Sequence, residues 1–180
     1  MSKWMIASDL HGDVACTEQL IARYRESGAT RLILLGDLLY HGPRNDLPEG
    51  YAPKRVIDLL NTMASELLCV RGNCDTEVDQ MVLNFPILAS YAFLETDGLR
   101  IFATHGHTYN TQTPPPLMAG DILLHGHTHI PAAEPFGADN LYLNPGSVSL
   151  PKNGTPKSYL LYEDGHFTFF DLSGDAYRKI

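Results

Sequence analysis

In the first half of the chain, short apolar runs alternate with segments whose apolar residues recur at helical spacing. The runs predict strands and the periodic segments predict amphipathic helices. The predicted order is strand, helix, strand, helix, strand, over residues 3–8, 14–26, 31–35, 54–66 and 67–70. Such alternation is typical of a parallel sheet with crossover helices.

The second half of the chain contains short apolar segments separated by turn residues. Strands are predicted over residues 91–95, 99–104, 121–124, 132–136, 141–143, 159–162 and 167–170. Turns such as Thr96-Asp97-Gly98 and Asp164-Gly165 join several of these strands as hairpins. We therefore expect a second, largely antiparallel sheet that stacks on the first, with helices outside. No repeat or linker divides the sequence, so one domain over residues 1–180 is predicted.

The composition of the 180 residues is that of an ordinary globular protein, with 44% hydrophobic and 19% charged residues. These fractions exclude intrinsic disorder. The formal net charge of −8 argues against general affinity for nucleic acid or for an anionic membrane surface. No apolar run approaches the ~20 residues that span a bilayer. Three cysteines without a disulfide spacing favour a reducing, cytoplasmic setting.

Residue types that commonly bind metals follow five predicted strands, at the point where each strand ends. They are Asp9, His11, Asp37, Asn73, His105, His127 and His129. In an open α/β sheet, ligands bind at the carboxyl ends of the strands. Mixed nitrogen and oxygen donors suit Mn²⁺, Fe or Zn²⁺ better than Ca²⁺. Seven donors are too many for one structural zinc, so the set favours two ions that share a carboxylate.

Two pairs of these residues, Asp9 with His11 and His127 with His129, are spaced two positions apart. In extended chain such residues point the same way, so each pair is predicted to direct its donors to one point. Taken alone, the motifs around Asp9, Asp37 and Asn73 are better explained as turn or cap chemistry, whereas the Gly-flanked pair of His127 and His129 is more specific. Only the recurrence of these residue types at five strand ends favours a metal site.

Together these motifs resemble those of the calcineurin-like metallophosphoesterase superfamily. The segments 41–45, 72–75 and 144–147 are also similar to those of the small bacterial phosphodiesterases of the YfcE type. The resemblance covers nearly the whole chain and weakens after about residue 158. It implies a single metallophosphoesterase domain over residues 1–180, with an α/β fold. The implied architecture is a four-layer α/β/β/α sandwich of two mixed sheets flanked by helices, with a dinuclear metal site at the strand ends.

The resemblance also implies how the seven residues divide between two divalent ions. One ion would take Asp9, His11, Asp37 and His129. The other would take Asp37, Asn73, His105 and His127, so that Asp37 bridges the pair. Mn²⁺ is the expected metal, and Zn²⁺, Fe²⁺ and Co²⁺ suit the same donors.

The implied reaction is hydrolysis of a phosphate ester by a hydroxide that bridges the two metals. Two such ions make hydroxide available near neutral pH, and the amide of Asn73 would help to stabilise the non-bridging oxygens. Two carboxylates and one hydroxide leave a small net positive charge on two divalent ions. That charge matches a monoanionic substrate, so we predict a small phosphodiester.

Two loop residues, Arg44 and Asn45, are candidates for binding the substrate phosphate. Arginine suits bidentate contacts with phosphate, although a solvated loop charge explains Arg44 equally well. Lys152 and Asn153 are weaker candidates of the same kind. Cys74 departs from the broader superfamily, in which many members have a histidine thought to assist the leaving group. A small residue that fills space explains Cys74 better than a catalytic thiol does.

Three other functions compete with a phosphodiesterase. Some relatives use this fold as a protein-binding scaffold, as in the eukaryotic retromer complex, and their metal sites are eroded, whereas all seven ligand types are present here. A phosphomonoesterase or nucleotidase of the same superfamily is a further alternative. A Rossmann-type cofactor binder is disfavoured because no Gly-x-Gly-x-x-Gly follows the first strand. Apart from the small substrate, a homo-oligomer is left open as a partner.

Overall fold

Two stacked β-sheets form the centre of the computed structural model, which describes residues 2–180. The strands are β1 (Lys3–Ala7), β2 (Arg31–Leu34), β3 (Leu67–Cys69), β4 (Tyr91–Thr96), β5 (Leu99–Thr104), β6 (Ile122–Leu124), β7 (Ala132–Phe136), β8 (Asn140–Asn144), β9 (Ser158–Glu163), β10 (His166–Asp171) and β11 (Ala176–Lys179). The α-helices of these residues are α1 (Val14–Ser27), α2 (Pro53–Asn61) and α3 (Glu77–Gln80). The α/β class and the two mixed sheets are confirmed.

The first sheet has the strand order β11-β10-β9-β1-β2-β3. Strands β1, β2 and β3 are parallel, as the alternating pattern predicts, because α1 and α2 carry the chain back across the sheet between them. The hairpin of β9 and β10 joins the same sheet through an antiparallel pairing of β9 with β1.

The predicted helix over residues 54–66 is shorter in the structure. It ends at Asn61, and a 3-10 turn over Ala64–Glu66 leads into β3. The Asn61 side chain donates to the carbonyl of Val82 at 2.9 Å and accepts from the backbone N–H of Asn84 at 2.7 Å. These bonds to another segment compete with a continuing helix, as is common for asparagine. Neither α3 nor β11 is predicted by the hydrophobic pattern.

The second sheet has the order β4-β5-β6-β8-β7, and its centre corrects the expectation of a largely antiparallel sheet. Only the two edge pairs, β4 with β5 and β7 with β8, are antiparallel hairpins. The central strands β5, β6 and β8 are parallel. Parallel neighbours need a long crossover connection, and residues 105–121 supply one between β5 and β6. The six parallel strands, three in each sheet, therefore point their carboxyl ends to one edge of the molecule.

Two apolar layers hold these elements together. One lies between the first sheet and its helices and includes Met5, Leu20 and Val56. The other lies between the two sheets and includes Ile6 and Ile122. Burial of such side chains contributes about 1.5–3 kcal/mol each.

The outer face of the second sheet has a different cover from that of the first. Here Phe102 packs against Tyr109 of the connection 105–121, with 5.7 Å between ring centroids. Between residues 81 and 180 the described chain contains no α-helix, so no helix of this half packs on that face. Nowhere in residues 2–180 is a helix long and apolar enough to cross a membrane.

Candidate metal centre

The carboxyl ends of β1, β2, β3, β5 and β6 meet at one edge of the two sheets, and all seven sequence-predicted ligands follow them there. We call Asp9, His11 and His129 the inner set, because both histidines approach Oδ1 of Asp9; each of the three is at most 3% exposed. We call Asn73, His105 and His127 the outer set. Asp37 lies between the two sets.

The inner set brings three donor atoms to one point. Nε2 of His129 lies 3.2 Å from Oδ1 of Asp9, and Nε2 of His11 lies 3.6 Å from the same oxygen. The two Nε2 atoms are 3.2 Å apart. Each ring is fixed from behind, since Nδ1 of His11 donates to the carbonyl of Tyr40 at 2.7 Å and Nδ1 of His129 to that of Leu150 at 2.6 Å. Such bonds on the remote nitrogen orient histidines that bind metals.

The outer set converges on Nε2 of His105. This atom lies 3.0 Å from Oδ1 of Asn73 and 3.2 Å from Nδ1 of His127. Nδ1 of His105 donates to the carbonyl of Leu35 at 2.7 Å, which fixes the ring. Asn73 is exposed and His127 is half-buried, so this set borders the solvent.

Asp37 connects the two sets through one carboxylate oxygen. Its Oδ2 lies 3.4 Å from Nε2 of His105 and 3.8 Å from Nε2 of His11. Its other oxygen, Oδ1, accepts a hydrogen bond from the backbone N–H of Cys74 at 2.8 Å. The carboxylate is therefore held with one oxygen directed toward both sets.

The donor atoms fit a cation better than they fit one another. His11 and His129 each donate Nδ1–H to a carbonyl, so in the neutral rings both Nε2 atoms carry lone pairs, and these face each other at 3.2 Å. Oδ1 of Asp9 is buried beside them and has no hydrogen-bond partner within residues 2–180. A buried polar atom without a partner is costly, so the residues present fit a divalent cation.

The pKa shifts of the ligand residues also indicate that the centre favours a positive charge. Burial raises the pKa of Asp9, but the imidazoles of His11 and His129 outweigh it and hold the pKa well below its usual range. Burial lowers the pKa of His105, but the carboxylates of Asp37 and Asp9 outweigh it and raise the pKa to about 9. Burial and the charge on His105 lower the pKa of His127 to about 4. The two carboxylates thus draw positive charge into a site from which water is largely excluded.

The backbone of the centre is strained. Eight non-glycine residues of the described chain have positive φ, and the site contributes five of them: Asp9, His11, Asp37, His127 and His129. Strained conformations of this kind cluster at functional sites. They also correct the extended-chain prediction, because residues in this conformation do not follow the alternation of a strand. His127 and His129 consequently contribute to different sets rather than to one point.

A buried carboxylate that the sequence motifs do not mark as important supports Asp37 from behind. Asp75 accepts the backbone N–H of Asp37 at 2.8 Å and of Leu38 at 2.9 Å, and also that of Gly72 at 2.7 Å. It therefore ties the end of β2 to the end of β3. The signal in the sequence is an acidic residue within Gly72-Asn73-Cys74-Asp75, although a sequence cannot show that its partners are backbone amides.

Close packing explains the glycines beside the ligands. A Cβ atom on Gly72 would collide with the carboxylate and backbone of Asp37, and one on Gly126 would collide with Ser8 and Asp9. Neither glycine can be replaced without moving a ligand.

The segment 144–147 supports the centre, as the sequence analysis expects of a shaped turn. Asn144 donates to the carbonyl of Gly126 at 2.9 Å, and the hydroxyl of Ser147 donates to the carbonyl of Asp9 at 2.8 Å. Ser149 donates to the same carbonyl at 2.9 Å. These bonds hold the strained residues that follow β1 and β6.

A cleft of about 390 Å³ opens over the centre. Arg44 and Asn45 line it, and so does Lys152, which is more than a hundred residues away in the sequence. Asn45 is held by a hydrogen bond from its Nδ2 to the carbonyl of His41 at 2.8 Å. The whole chain is negatively charged, but Arg44 and Lys152 place positive charge at the mouth of the cleft. The cleft therefore suits an anionic ligand.

Cys74 also lines the cleft, and its thiol is neutral. Burial and the neighbouring Asp37 raise the pKa of Cys74 to about 12. Nδ2 of Asn73 donates to its Sγ at 3.2 Å. A thiolate nucleophile needs a lowered pKa, so this environment is that of a packing residue.

The chain is similar to known proteins over most of its length. The model of the calcineurin-like phosphoesterase superfamily domain matches residues 3–164. The chain is 50% identical over 176 residues to the phosphodiesterase YfcE of Escherichia coli strain K12, covering 98% of this chain and 95% of that protein. The solved structure of E. coli YfcE, a phosphoesterase, matches with a TM-score of 0.95 and 45% identity over 99% of this chain and 98% of that one.

A more distant match concerns the fold alone. A single mutant of Vps29 from Entamoeba histolytica has a TM-score of 0.61 at 20% identity, over 99% of this chain and 98% of that chain.

Proposed function

The chain belongs to the calcineurin-like phosphoesterase superfamily, and we propose that the inner set, the outer set and Asp37 hold the two divalent ions with which it works. It is a metal-dependent phosphodiesterase. The observation that carries the ligand assignment is the buried Oδ1 of Asp9, which lacks a hydrogen-bond partner in residues 2–180 and faces the Nε2 atoms of two fixed histidines.

Each part of the centre has its own task in this proposal. The inner set holds one ion and the outer set the other, with Asp37 shared between them. When bound, two divalent ions activate water as a nucleophile and neutralise charge on the phosphoryl oxygens. Asn73 directs one amide hydrogen to Cys74, which leaves the second for a non-bridging oxygen of the substrate.

The ions are proposed to be Mn²⁺, with Zn²⁺, Fe²⁺ or Co²⁺ able to use the same donors. Four imidazoles, two carboxylates and one amide form a mixed nitrogen and oxygen set, which suits these metals better than Mg²⁺ or Ca²⁺. The three cysteines are free and buried, so none is committed to a disulfide and a reducing, cytoplasmic setting is proposed.

The substrate is proposed to be a small monoanionic phosphodiester. Arg44 and Asn45 line the cleft and would contact its phosphate, because a guanidinium can donate two parallel bonds to phosphate oxygens. The single domain over residues 1–180 has a cleft of about 390 Å³, which is the size of a small-molecule site.

The test is metal add-back to stripped protein. Hydrolysis of bis-p-nitrophenyl phosphate and of p-nitrophenyl phosphate is measured before and after addition of Mn²⁺. We expect hydrolysis of the diester only with Mn²⁺, and loss of this activity in His129→Ala. The matched control is His166→Ala, since His166 is exposed and pairs with Glu163 at the opposite end of the sheet. Protein that binds Mn²⁺ and hydrolyses neither compound contradicts the proposal and favours a scaffold.

A further inference from the structure

A second cavity, of about 380 Å³, lies beside the catalytic cleft. Its wall is largely apolar and comes from the loop after β2, from α2 and from α3, with Lys54 and Asp79 as its charged residues. We call this the apolar groove, and its apolar residues are Leu39, Tyr40, Tyr51, Pro53, Ile57, Val78 and Val82. Cys74 lines both the apolar groove and the catalytic cleft, so the two cavities are neighbours across one side chain.

The apolar groove is fixed relative to the metal centre. The carbonyl of Tyr40 accepts the hydrogen bond from Nδ1 of His11, so the residue that lines the groove also orients a ligand. The ring of His41 packs between those of Tyr40 and Tyr51, with centroid distances of 4.7 and 5.3 Å. At the other wall, Asn61 holds the carbonyl of Val82. The wall is therefore positioned by the elements that position the site.

The side chains of the apolar groove are unusually exposed for their type. Val78 is 68% exposed, Val82 45% and Tyr40 42%. Isolated exposed apolar residues are ordinary, but a contiguous group beside a polar cleft is typical of a ligand-binding groove. The adjoining cleft carries Arg44 and Lys152. A cationic surface that suits phosphate therefore borders an apolar surface that suits an uncharged organic group.

We propose that the apolar groove binds an apolar ester group of the phosphodiester, of the size of one aromatic ring, while the phosphate lies in the catalytic cleft. This inference rests on the proposed function. Cys74 stands between the two cavities, and a diester that reaches both would cross this small side chain, whose neutral thiol presents no charge to an apolar group. The groove thus selects diesters by one of their organic groups, with Val78 and Val82 as specificity-determining residues.

The test compares two phosphonates that share the phosphoryl end and differ only in the organic group. Phenylphosphonate and methylphosphonate are titrated calorimetrically into Mn²⁺-loaded protein. We expect phenylphosphonate to bind about tenfold more tightly, the discrimination that an apolar pocket of this kind provides. Val78→Gln and Val82→Gln replace exposed side chains, so folding is retained, and each should reduce the preference to about threefold or less.

The matched control is Met81→Gln. Met81 is 83% exposed directly after α3 and does not line the apolar groove, so its substitution should leave the tenfold preference unchanged. Equal binding of the two phosphonates, or a preference that survives both valine substitutions, overturns the inference. Hydrolysis of bis-p-nitrophenyl phosphate is assayed separately. If hydrolysis is present and the preference absent, only the inference fails; if Mn²⁺-dependent hydrolysis is itself absent, the proposed function fails with it.

Discussion

The inner and outer sets contain similar donors but differ in how firmly the protein holds them. In the inner set, both imidazoles are fixed by carbonyls behind them and all three residues are excluded from solvent. In the outer set, Asn73 is exposed, and within residues 2–180 the second nitrogen of His127 makes no hydrogen bond to a carbonyl. His105 is the exception in the outer set, because it is buried and donates to the carbonyl of Leu35. We therefore propose that the inner set is preorganised to hold its ion, whereas Asn73 and His127 leave the outer set open to substrate and to exchange.

Asp37 is shared by the two sets, so its substitution should have the largest effect. In Asp37→Asn, one negative charge between two cations is lost and the amide presents N–H groups to them. We expect the turnover of bis-p-nitrophenyl phosphate to fall on the order of a thousandfold at saturating Mn²⁺. Metal analysis of the dialysed variant should show fewer than two ions per chain. A variant that retains two ions and most of its activity would mean that the sets do not share this carboxylate.

The comparison predicts unequal losses for histidines of the two sets. His11→Ala removes a fixed, buried ligand of the inner set, and we expect about a hundredfold loss of turnover that added Mn²⁺ does not restore. His127→Ala removes a less constrained ligand, and we expect a loss of about tenfold that a higher Mn²⁺ concentration largely restores. The measurement is turnover as a function of Mn²⁺ concentration. If both variants lose turnover to the same extent, and added Mn²⁺ restores both equally, the distinction between the sets is wrong.

The sequence predicts the residues of the centre better than it predicts their arrangement. Seven polar residues at strand ends are visible because each strand is a short apolar run that stops abruptly. The positive φ values of Asp9 and His127 are not visible, since they are imposed by contacts with distant segments such as that of Ser147. The division of His127 and His129 between two sets depends on these contacts, and spacing in the sequence gives the opposite expectation.

The same limit applies to the second sheet. Hairpin turns are local signals, and the two edge hairpins are predicted correctly from them. The parallel pairing of β5, β6 and β8 depends on how a long connection crosses the sheet, which no local pattern encodes. The apolar groove is hidden for a similar reason, because residues from three separate segments form it.

Substitution of Asp75 tests whether the protein also holds Asp37, the carboxylate shared by the two sets, in position before metal binds. Asp75→Asn replaces an oxygen that accepts from backbone amides with a group that itself donates, so the ends of β2 and β3 lose their common anchor. We expect Mn²⁺ affinity to fall about tenfold to a hundredfold, as for other residues that orient metal ligands. Turnover at saturating Mn²⁺ should be much less affected. An unfolded variant, by contrast, would not regain turnover when Mn²⁺ is added. The matched control is Asp58→Asn on the exposed face of α2.

Cys74 should give the smallest effect, because it borders both cavities without acting on the reaction. With its pKa raised to about 12, the thiol stays protonated throughout the range from neutral to moderately alkaline pH, and the serine hydroxyl of Cys74→Ser is neutral over the same range. We expect turnover of bis-p-nitrophenyl phosphate to change by no more than about threefold, with an unchanged pH profile, because neither side chain titrates there. The measurement is kcat from about pH 7 to 9.5 for both proteins at saturating Mn²⁺. A loss above about a hundredfold, or a new pH dependence, would show that the thiol takes part in the chemistry. In that case the segment after β3 would supply a reactive group at Cys74 beside the ligand Asn73, and the openness of the outer set to solvent would serve proton transfer rather than exchange of metal.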